Sequence, residues 1–291
     1  PDVQTIYSEP IVYTSSTLTE PSERTEGGRP WAYLGPDEDF SDYDVAQFGI
    51  EFLDRAPEDQ PFLLTLGFDH PHTSYKAPAR YYDLYPFDEI QIPTSWVQGD
   101  LSDVPAFAQQ FTSQPRGGEP FSNLEAWKTT VQGYLASITH MDAEVGRFLD
   151  ALAASEHAGD TSIVVYSDHG YQLGNKDHPV KFTLWEESAK APLMIYDPGG
   201  AQGITVSTPV SLMDIMPTML EMTGTAIPEG LVGQSLMTFV TGDGSAYEEK
   251  PALTTMYGSF GIRSGDYRYI RYVDGSEELY NVVEDPGQIV N

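Results

Sequence analysis

The chain has 291 residues, enough for one large domain or two ordinary ones, and its 40% hydrophobic content can supply a core. Its 44 acidic residues against 15 basic ones give a net charge of -29, which argues against nucleic acid and anionic membranes as partners because phosphate would be repelled. The absence of cysteine excludes disulfides, zinc–thiolate sites and a cysteine nucleophile within the chain. The sequence contains no apolar run long enough to span a bilayer and no recognisable signal peptide. Because it starts at Pro1 without a methionine, we expect a piece of a longer protein.

The first part of the chain predicts a loop, a helix and a strand. Residues 1–38 are rich in Ser, Thr, Glu, Pro and Gly and predict an extended loop. A helix is expected to begin at Ser41 and to end at Pro57. The apolar run over 61–68 predicts a buried strand that carries histidines at its carboxyl end. A long, proline-punctuated excursion over 73–123 follows, and loops of that length are often functional.

The remainder of the chain alternates between helical and strand patterns. The spacing predicts helices over 124–153, 181–189 and 209–223, strands over 163–166 and 192–196, and a small antiparallel sheet over 252–281. The run over 163–166 is typical of a buried strand in a parallel sheet. These patterns indicate an α/β fold with a mixed, mostly parallel sheet flanked by helices and a small C-terminal antiparallel sheet. We predict a main domain over 1–240 and a small α+β subdomain over 241–291.

The most informative stretch is the sequence SDHG at 167–170, directly after a predicted strand. In open α/β sheets, ligands bind just beyond the carboxyl ends of the strands, so Asp168 and His169 are expected at such an edge. His178 and Lys181 follow a few residues later. An acid, two imidazoles and a lysine near one strand end predict a metal and anion site.

Several spaced blocks carry a family resemblance. They are GFDHPH at 67–72, DAEVGR at 142–147, SDHGYQLG at 167–174 with Lys181, DIMPT at 214–218, GLVGQSL at 230–236 and YRYI at 267–270. In this order they resemble the type I sulfatases of the alkaline phosphatase superfamily, most of all the iduronate sulfatase and choline sulfatase-like branch. The resemblance runs from about residue 41 to residue 291 and implies an alkaline-phosphatase-like fold.

The resemblance also implies roles for the site residues. His72 would donate a proton to the bridging oxygen of a sulfate ester, and Lys181 would bind a sulfate oxygen and the leaving oxygen as a fixed cation. Asp168 and His169 would be ligands of a divalent metal, which in the family is usually calcium. Because calcium prefers oxygen donors, the alternative for His169 is a contact with the nucleophile or the sulfate.

Other polar residues lie beside these positions. His70, Tyr171 and His178 are predicted to line the substrate pocket, although His70 could equally be a satisfied strand-end histidine. Asp177 could repel an anionic substrate or bind a cationic one. His140 and His157, on or just after the long helix, are assigned to structure.

Part of the family pattern is absent from these residues. The resemblance implies a pair of metal-binding aspartates on a first strand and a Cys- or Ser-x-Pro-x-Arg motif whose Cys or Ser becomes a formylglycine nucleophile. Neither occurs in the 291 residues. Both are therefore expected in a missing N-terminal part, and the chain alone is expected to be inactive.

Three functions stay open from the sequence. The first is a sulfatase acting on a sulfated sugar or small sulfate ester, and the second is a phosphatase or phosphonate monoester hydrolase of the same superfamily. The third is a non-catalytic protein that binds sulfated glycans. A sulfated small molecule or carbohydrate is the expected partner, and a periplasmic or secreted location is expected.

Overall fold

The structure is a computed structural model that describes residues 29–57, 60–112, 123–242 and 244–291, together with the backbone of Ile11–Thr14. The chain forms two compact units. The first unit comprises residues 1–91 and 124–160, and the second comprises 92–123 and 161–291. Even the longest described helix, with 31 residues, lacks the apolar stretch that crossing a bilayer would require.

The described residues contain both helices and strands. The helices are α1 (Ser41–Leu53), α2 (Ala79–Tyr82), α3 (Ala106–Thr112), α4 (Leu124–Ala154), α5 (Glu186–Ala189), α6 (Ile215–Met222) and α7 (Met237–Thr241). The strands are β1 (Ile11–Thr14), β2 (Ala32–Tyr33), β3 (Leu64–Gly67), β4 (Ala77–Pro78), β5 (Ile163–Tyr166), β6 (Leu193–Tyr196), β7 (Ala252–Met256), β8 (Ser259–Ser264), β9 (Tyr267–Arg271) and β10 (Glu277–Asn281).

In the first unit, two parallel strand pairs lie beside α1 and α4. β1 pairs with β3 and β2 pairs with β4. The prediction of loop throughout 1–38 is therefore wrong for β1 and β2, because pairing with distant strands overrides the weak local pattern. Gly49 allows α1 to pack closely against β3 and α4, since a Cβ there would lie 2.7 Å from Leu66 of β3 and 2.8 Å from Phe148 of α4.

The long helix α4 confirms the predicted helix over 124–153 within one residue. Its buried positions include the series Gly133, Ala136, His140 and Glu144, which recurs every three or four residues along one face as the period of an α-helix requires, and further positions beside that face. The buried positions are Trp127, Val131, Gln132, Gly133, Ala136, Ser137, His140, Glu144 and Leu152. Two of them, His140 and Glu144, are ionisable, so this face combines apolar packing with buried polar groups.

In the second unit, β5 lies where the sequence predicts it but pairs differently. It pairs antiparallel with β6, so the parallel neighbour that the sequence predicted is wrong for this pair of strands. Parallel neighbours need a crossover, usually a long helix. The chain between β5 and β6 contains one α-helix, the four-residue α5, which is too short for such a crossover. The strand is also only half-buried, and Tyr166 is exposed.

The predicted helix over 181–189 is reduced to its last four residues, α5. Phe182 has a φ of 72°, which is incompatible with a right-handed helix, and Trp185 is extended at the start of α5. Leu184 and Trp185 are instead buried in the core of the second unit. Core packing thus overrides the helical spacing that the sequence displays.

The predicted small antiparallel sheet is confirmed as β7 to β10, joined in the order β10-β9-β8-β7. Its inner face packs on α3 and on the segment before α5, forming one core cluster. The buried members are Val104, Ala108, Leu184, Trp185, Ile270, Tyr272 and Tyr280. The domain boundary after residue 240 stays a prediction.

Candidate active site

The strand-end sequence SDHG forms a tight turn in the second unit. The backbone N–H of Ser167 donates to the carbonyl of Pro192, and that of Gly170 donates to the carbonyl of Ser188. The Ser167 hydroxyl donates to the carbonyl of His169. These bonds fix Asp168 and His169 at the carboxyl end of β5.

His169 is held by two hydrogen bonds that define its protonation pattern. Its Nδ1 lies 2.7 Å from the carbonyl of Gly170, so Nδ1 carries the proton that is donated there. Its Nε2 lies 2.8 Å from Nζ of Lys181, whose ammonium group can only donate. A neutral imidazole and a cationic lysine therefore form a directed pair at the strand end.

The neighbouring Asp168 fits the expected calcium site better than His169 does. The Asp168 side chain is 81% exposed, with one carboxylate oxygen 3.4 Å from His169 Nε2. A carboxylate oxygen suits calcium, whereas the His169 lone pair is already bonded to Lys181. Asp168 can thus supply one ligand, and the alternative role of His169 at the sulfate or nucleophile also stays a prediction. Both metal-ligand assignments stay predictions.

The loop between Asp168 and Lys181 is held by hydrogen bonds between side chains and backbone groups. Buried His178 uses Nε2 to bond the carbonyl of Lys181 at 2.5 Å. Asp177 accepts from the backbone N–H of Gly99 at 2.8 Å. Tyr171 is half-buried at the start of the loop. His178 therefore positions the lysine, and direct substrate contacts by His178 and Tyr171 stay predictions.

Replacement of Gly170 by alanine should destabilise this turn. The new Cβ would collide with the backbone carbonyl oxygens of Glu187 and Lys190, neither of which can rotate away. We expect a loss of about 1–3 kcal/mol in the free energy of unfolding, measured with urea. Gly159→Ala is the control because nothing lies within 4 Å of its Cβ position. Equal effects of the two substitutions would contradict the predicted clash.

His72 lies in the first unit, in a turn that follows β3. Its backbone N–H donates to the carbonyl of Asp69 at 3.0 Å, and its Nδ1 lies 2.9 Å from the carbonyl of Thr73. The side chain is exposed. Because Nδ1 carries the proton donated to Thr73, Nε2 is the atom left to act on another molecule.

His70 is buried behind this turn and is paired with Asp42 of α1. The His70 Nδ1 lies 2.8 Å from an Asp42 carboxylate oxygen, and both side chains are 1% exposed. The backbone N–H groups of Asp69 and His70 donate to the same carboxylate. Burial alone would raise the pKa of Asp42, but the bonds and charge of His70 and the two N–H groups lower it. These contacts hold the Nδ1 side of the ring, and both alternatives for His70, a structural strand-end histidine and a substrate contact, stay predictions.

A polar cluster that the sequence did not predict lies around His140. The ring is fully buried on α4, 4.6 Å from the Phe40 ring and 5.0 Å from the His70 ring between centroids. Burial, with the nearby charge of His70, lowers the pKa of His140 to about 3. Burial likewise raises the pKa of Glu144, one turn further along the helix. The signal available in the sequence was a His and a Glu four positions apart on one helix face.

Acid should destabilise the protein because two histidines are buried in the neutral form. Burial lowers the pKa of His178 as it lowers that of His140, whereas histidines in the unfolded chain have a pKa of about 6.5. Below that pH the unfolded state binds more protons than the folded state. The contribution of the two neutral histidines to the free energy of unfolding is therefore fully present above that pH. It declines as the pH falls toward the folded pKa, which for His140 is about 3. The slope is at most about 1.4 kcal/mol per pH unit for each histidine, and protonation of Glu144 opposes it.

Urea unfolding at pH 7.5 and 5.5, with EDTA present, measures this dependence. His140→Gln should reduce the difference between the two pH values, because the variant no longer gains a proton on unfolding at that position. A stability that is unchanged between pH 7.5 and 5.5 would contradict the prediction.

The comparison with known families decides the assignment. The Sulfatase family profile matches residues 5–225, more than half of the chain. The chain belongs to the sulfatase family. A second profile, for the C-terminal part of N-sulphoglucosamine sulphohydrolase, matches residues 174–291.

Two relatives illustrate the match to the sulfatase family. A sulfatase of Formosa agariphila is 38% identical over 236 residues, covering 80% of this chain and 46% of that protein. A choline-sulfatase of Rhizobium meliloti is 30% identical over 253 residues, covering 82% of this chain and 48% of that protein. This sulfatase chain therefore spans about half the length of these curated relatives.

Solved structures share the fold of this sulfatase chain. Phosphonate monoester hydrolase of Agrobacterium radiobacter superposes with a TM-score of 0.79 at 22% identity, covering 96% of this chain and 61% of that chain. A protein in complex with its substrate D-glucosamine-2-N,6-O-disulfate superposes with a TM-score of 0.65 at 20% identity, covering 87% of this chain and 65% of that chain. At these identities the likeness shows the fold alone, and it confirms the predicted alkaline-phosphatase-like α/β class with its C-terminal antiparallel sheet.

Proposed function

We propose that the protein hydrolyses sulfuric esters, either of a sulfated sugar or of a small molecule. The observation that carries the proposal is the Lys181 ammonium group held 2.8 Å from His169 at the carboxyl end of β5. In a chain with a net charge of -29, a fixed cation at a strand end is a specific anion-binding feature. Family membership makes a sulfate ester the anion that this feature would bind.

Lys181 and His72 would have different roles in this reaction. Lys181 would bind a sulfate oxygen and stabilise negative charge that develops on the leaving oxygen. His72 would protonate that oxygen from Nε2. Since Nδ1 already donates to Thr73, this step requires the doubly protonated ring.

A divalent ion and a nucleophile complete the proposal. Asp168 would hold the ion, for which calcium is the expected choice, and the ion would polarise the sulfate oxygens. The nucleophile, a formylglycine, would come from sequence outside the 291 residues. The choline-sulfatase and glucosamine disulfate relatives support a small or monosaccharide sulfate as the substrate class.

A phosphonate monoester hydrolase is the second candidate, because one such enzyme has a similar fold over nearly the whole chain. The deciding experiment compares matched aryl sulfate and aryl phosphonate monoester substrates with the full-length protein. Preferred turnover of the sulfate supports the proposal, and preferred turnover of the phosphonate supports the second candidate. Turnover of neither, with retained binding of a sulfated glycan, would support a non-catalytic binding protein and overturn both.

A further inference from the structure

Asp37, His140 and Glu144 form a cluster in the first unit, which we name the Asp37–His140–Glu144 cluster, and in it His140 and Glu144 are buried and Asp37 is half-buried. Each residue offers one donor atom, and these atoms all lie within 4.8 Å of one another. His140 and Glu144 are one turn apart on α4, and Asp37 begins the 3₁₀ turn Asp37–Asp39 before α1. Among the described residues, no other group of three or more acids, histidines or cysteines has this spacing.

The cluster contains donor atoms that the described residues leave unsatisfied. Both ring nitrogens of His140 are buried without a hydrogen-bond partner, and so is Oδ1 of Asp37. The His140 side chain is 0% exposed, and its Nε2 lies 3.9 Å from Asp37 Oδ1, beyond hydrogen-bond distance. Leaving such groups unpaired is costly, and native proteins almost always satisfy them. A further group therefore belongs between these atoms.

The other atoms of the two carboxylates already have partners that fix their orientation. Oδ2 of Asp37 accepts from Arg80 and from the Tyr81 hydroxyl. Oε2 of Glu144 accepts from Nε of Arg147 at 2.9 Å. The arginines hold each carboxylate from outside, while Asp37 Oδ1 faces His140. Such outer partners are the kind that orient the ligands of a metal site.

We propose that the Asp37–His140–Glu144 cluster binds a divalent transition-metal ion such as Zn²⁺. One imidazole nitrogen with two carboxylate oxygens is a donor set that suits zinc, whereas calcium and magnesium favour oxygen alone. Two ligand atoms each about 2.1 Å from one ion are about 3.0–3.4 Å apart at octahedral or tetrahedral angles. The distance of 3.9 Å between His140 Nε2 and Asp37 Oδ1 is less than one ångström longer than that range, and all three ligand atoms lie within 4.8 Å of one another.

The ion would connect parts of the first unit that are distant in sequence. It would join the turn Asp37–Asp39 to the middle of α4. The His140 ring also lies against His70, which precedes the exposed His72 turn by one proline. The site shares no residue with Asp168 and His169, and it does not depend on the proposed reaction.

The test uses Zn²⁺ and metal-free protein carrying Asp168→Asn, which removes the predicted calcium ligand. We expect one Zn²⁺ per chain by calorimetry and a rise in Tm on adding Zn²⁺ but not Ca²⁺. His140→Gln and Asp37→Asn should each weaken Zn²⁺ binding by more than about tenfold, since even changes around a metal site have that effect. Asp37→Asn serves as the second variant if His140→Gln does not fold, as judged by circular dichroism.

Asp142→Asn is the matched control, because Asp142 is an exposed acid on the same helix. It should leave Zn²⁺ affinity unchanged. Equal affinity in all variants would mean that the acidic surface binds Zn²⁺ non-specifically, and that result would overturn the proposal. Absence of Zn²⁺ binding would also overturn it, and a buried water would then be the group that satisfies the cluster.

Discussion

Replacement of Lys181 by alanine is expected to lower kcat/KM for an aryl sulfate by about 10²–10³-fold in the full-length protein. The Lys181 ammonium lies 2.8 Å from His169 Nε2, and the His178 ring bonds its backbone carbonyl, so the charge is held in place before substrate arrives. Preorganised charge of this kind acts mainly where negative charge develops. The loss should therefore fall on kcat more than on KM.

Lys190→Ala is the matched control for charge, because Lys190 is an exposed lysine nine residues further along the same segment. It should leave kcat/KM within about twofold, since surface substitutions of this kind are close to neutral. If Lys181→Ala has full activity, the role assigned to Lys181 is wrong. If both variants lose activity equally, the effect is one of net charge.

Replacement of Asp100 by alanine is expected to lower the free energy of unfolding by about 3–5 kcal/mol. Its carboxylate lies 2.9 Å from Nζ of Lys176, which is 1% exposed and lies over the rings of Trp185 and Tyr280. Without Asp100, the lysine charge would stay buried and would lose its ion-pair partner. The measurement is urea unfolding at pH 7.

The double variant Asp100→Ala/Lys176→Met separates the charge effect from lost packing. It should be more stable than Asp100→Ala alone, since it removes the unpaired charge. The exposed pair of Arg271 and Glu277, about half exposed on both sides, is the control. Breaking it with Arg271→Ala should cost less than about 1 kcal/mol. A double variant that is less stable than the single would contradict the expected coupling.

The elements that the sequence predicted well are those whose signal is local. β5, α4 and the hairpins β7 to β10 each display their own period and turn residues, and they lie within a residue or two of the expected bounds. The misplaced elements depend on distant partners. β1 forms only by pairing with β3, about fifty residues away, and the segment before α5 follows the core position of Trp185 instead of its helical spacing. Periodicity carries no information about such partners.

In the candidate site, too, the sequence predicted what is local and missed what depends on distant residues. Asp168, His169 and Lys181 lie in one short stretch, so the sequence could group them, and the structure adds the bond between His169 and Lys181. The environments of His70 and His178 were not readable, because their burial is set by Asp42 and by backbone carbonyls. His140 was assigned only to structure, since Asp37 lies about a hundred positions away in the chain.

The bond between Trp185 and Glu278 has a consequence for how the protein can evolve. The indole N–H donates to the buried Glu278 carboxylate at 2.9 Å across 93 positions of sequence. The hydroxyls of Tyr272 and Tyr280 donate to the same carboxylate. A substitution at either end would leave buried donors or acceptors unmatched, so the two positions should covary among homologues. Selection for the loop that carries Lys181 would thereby constrain the last hairpin as well.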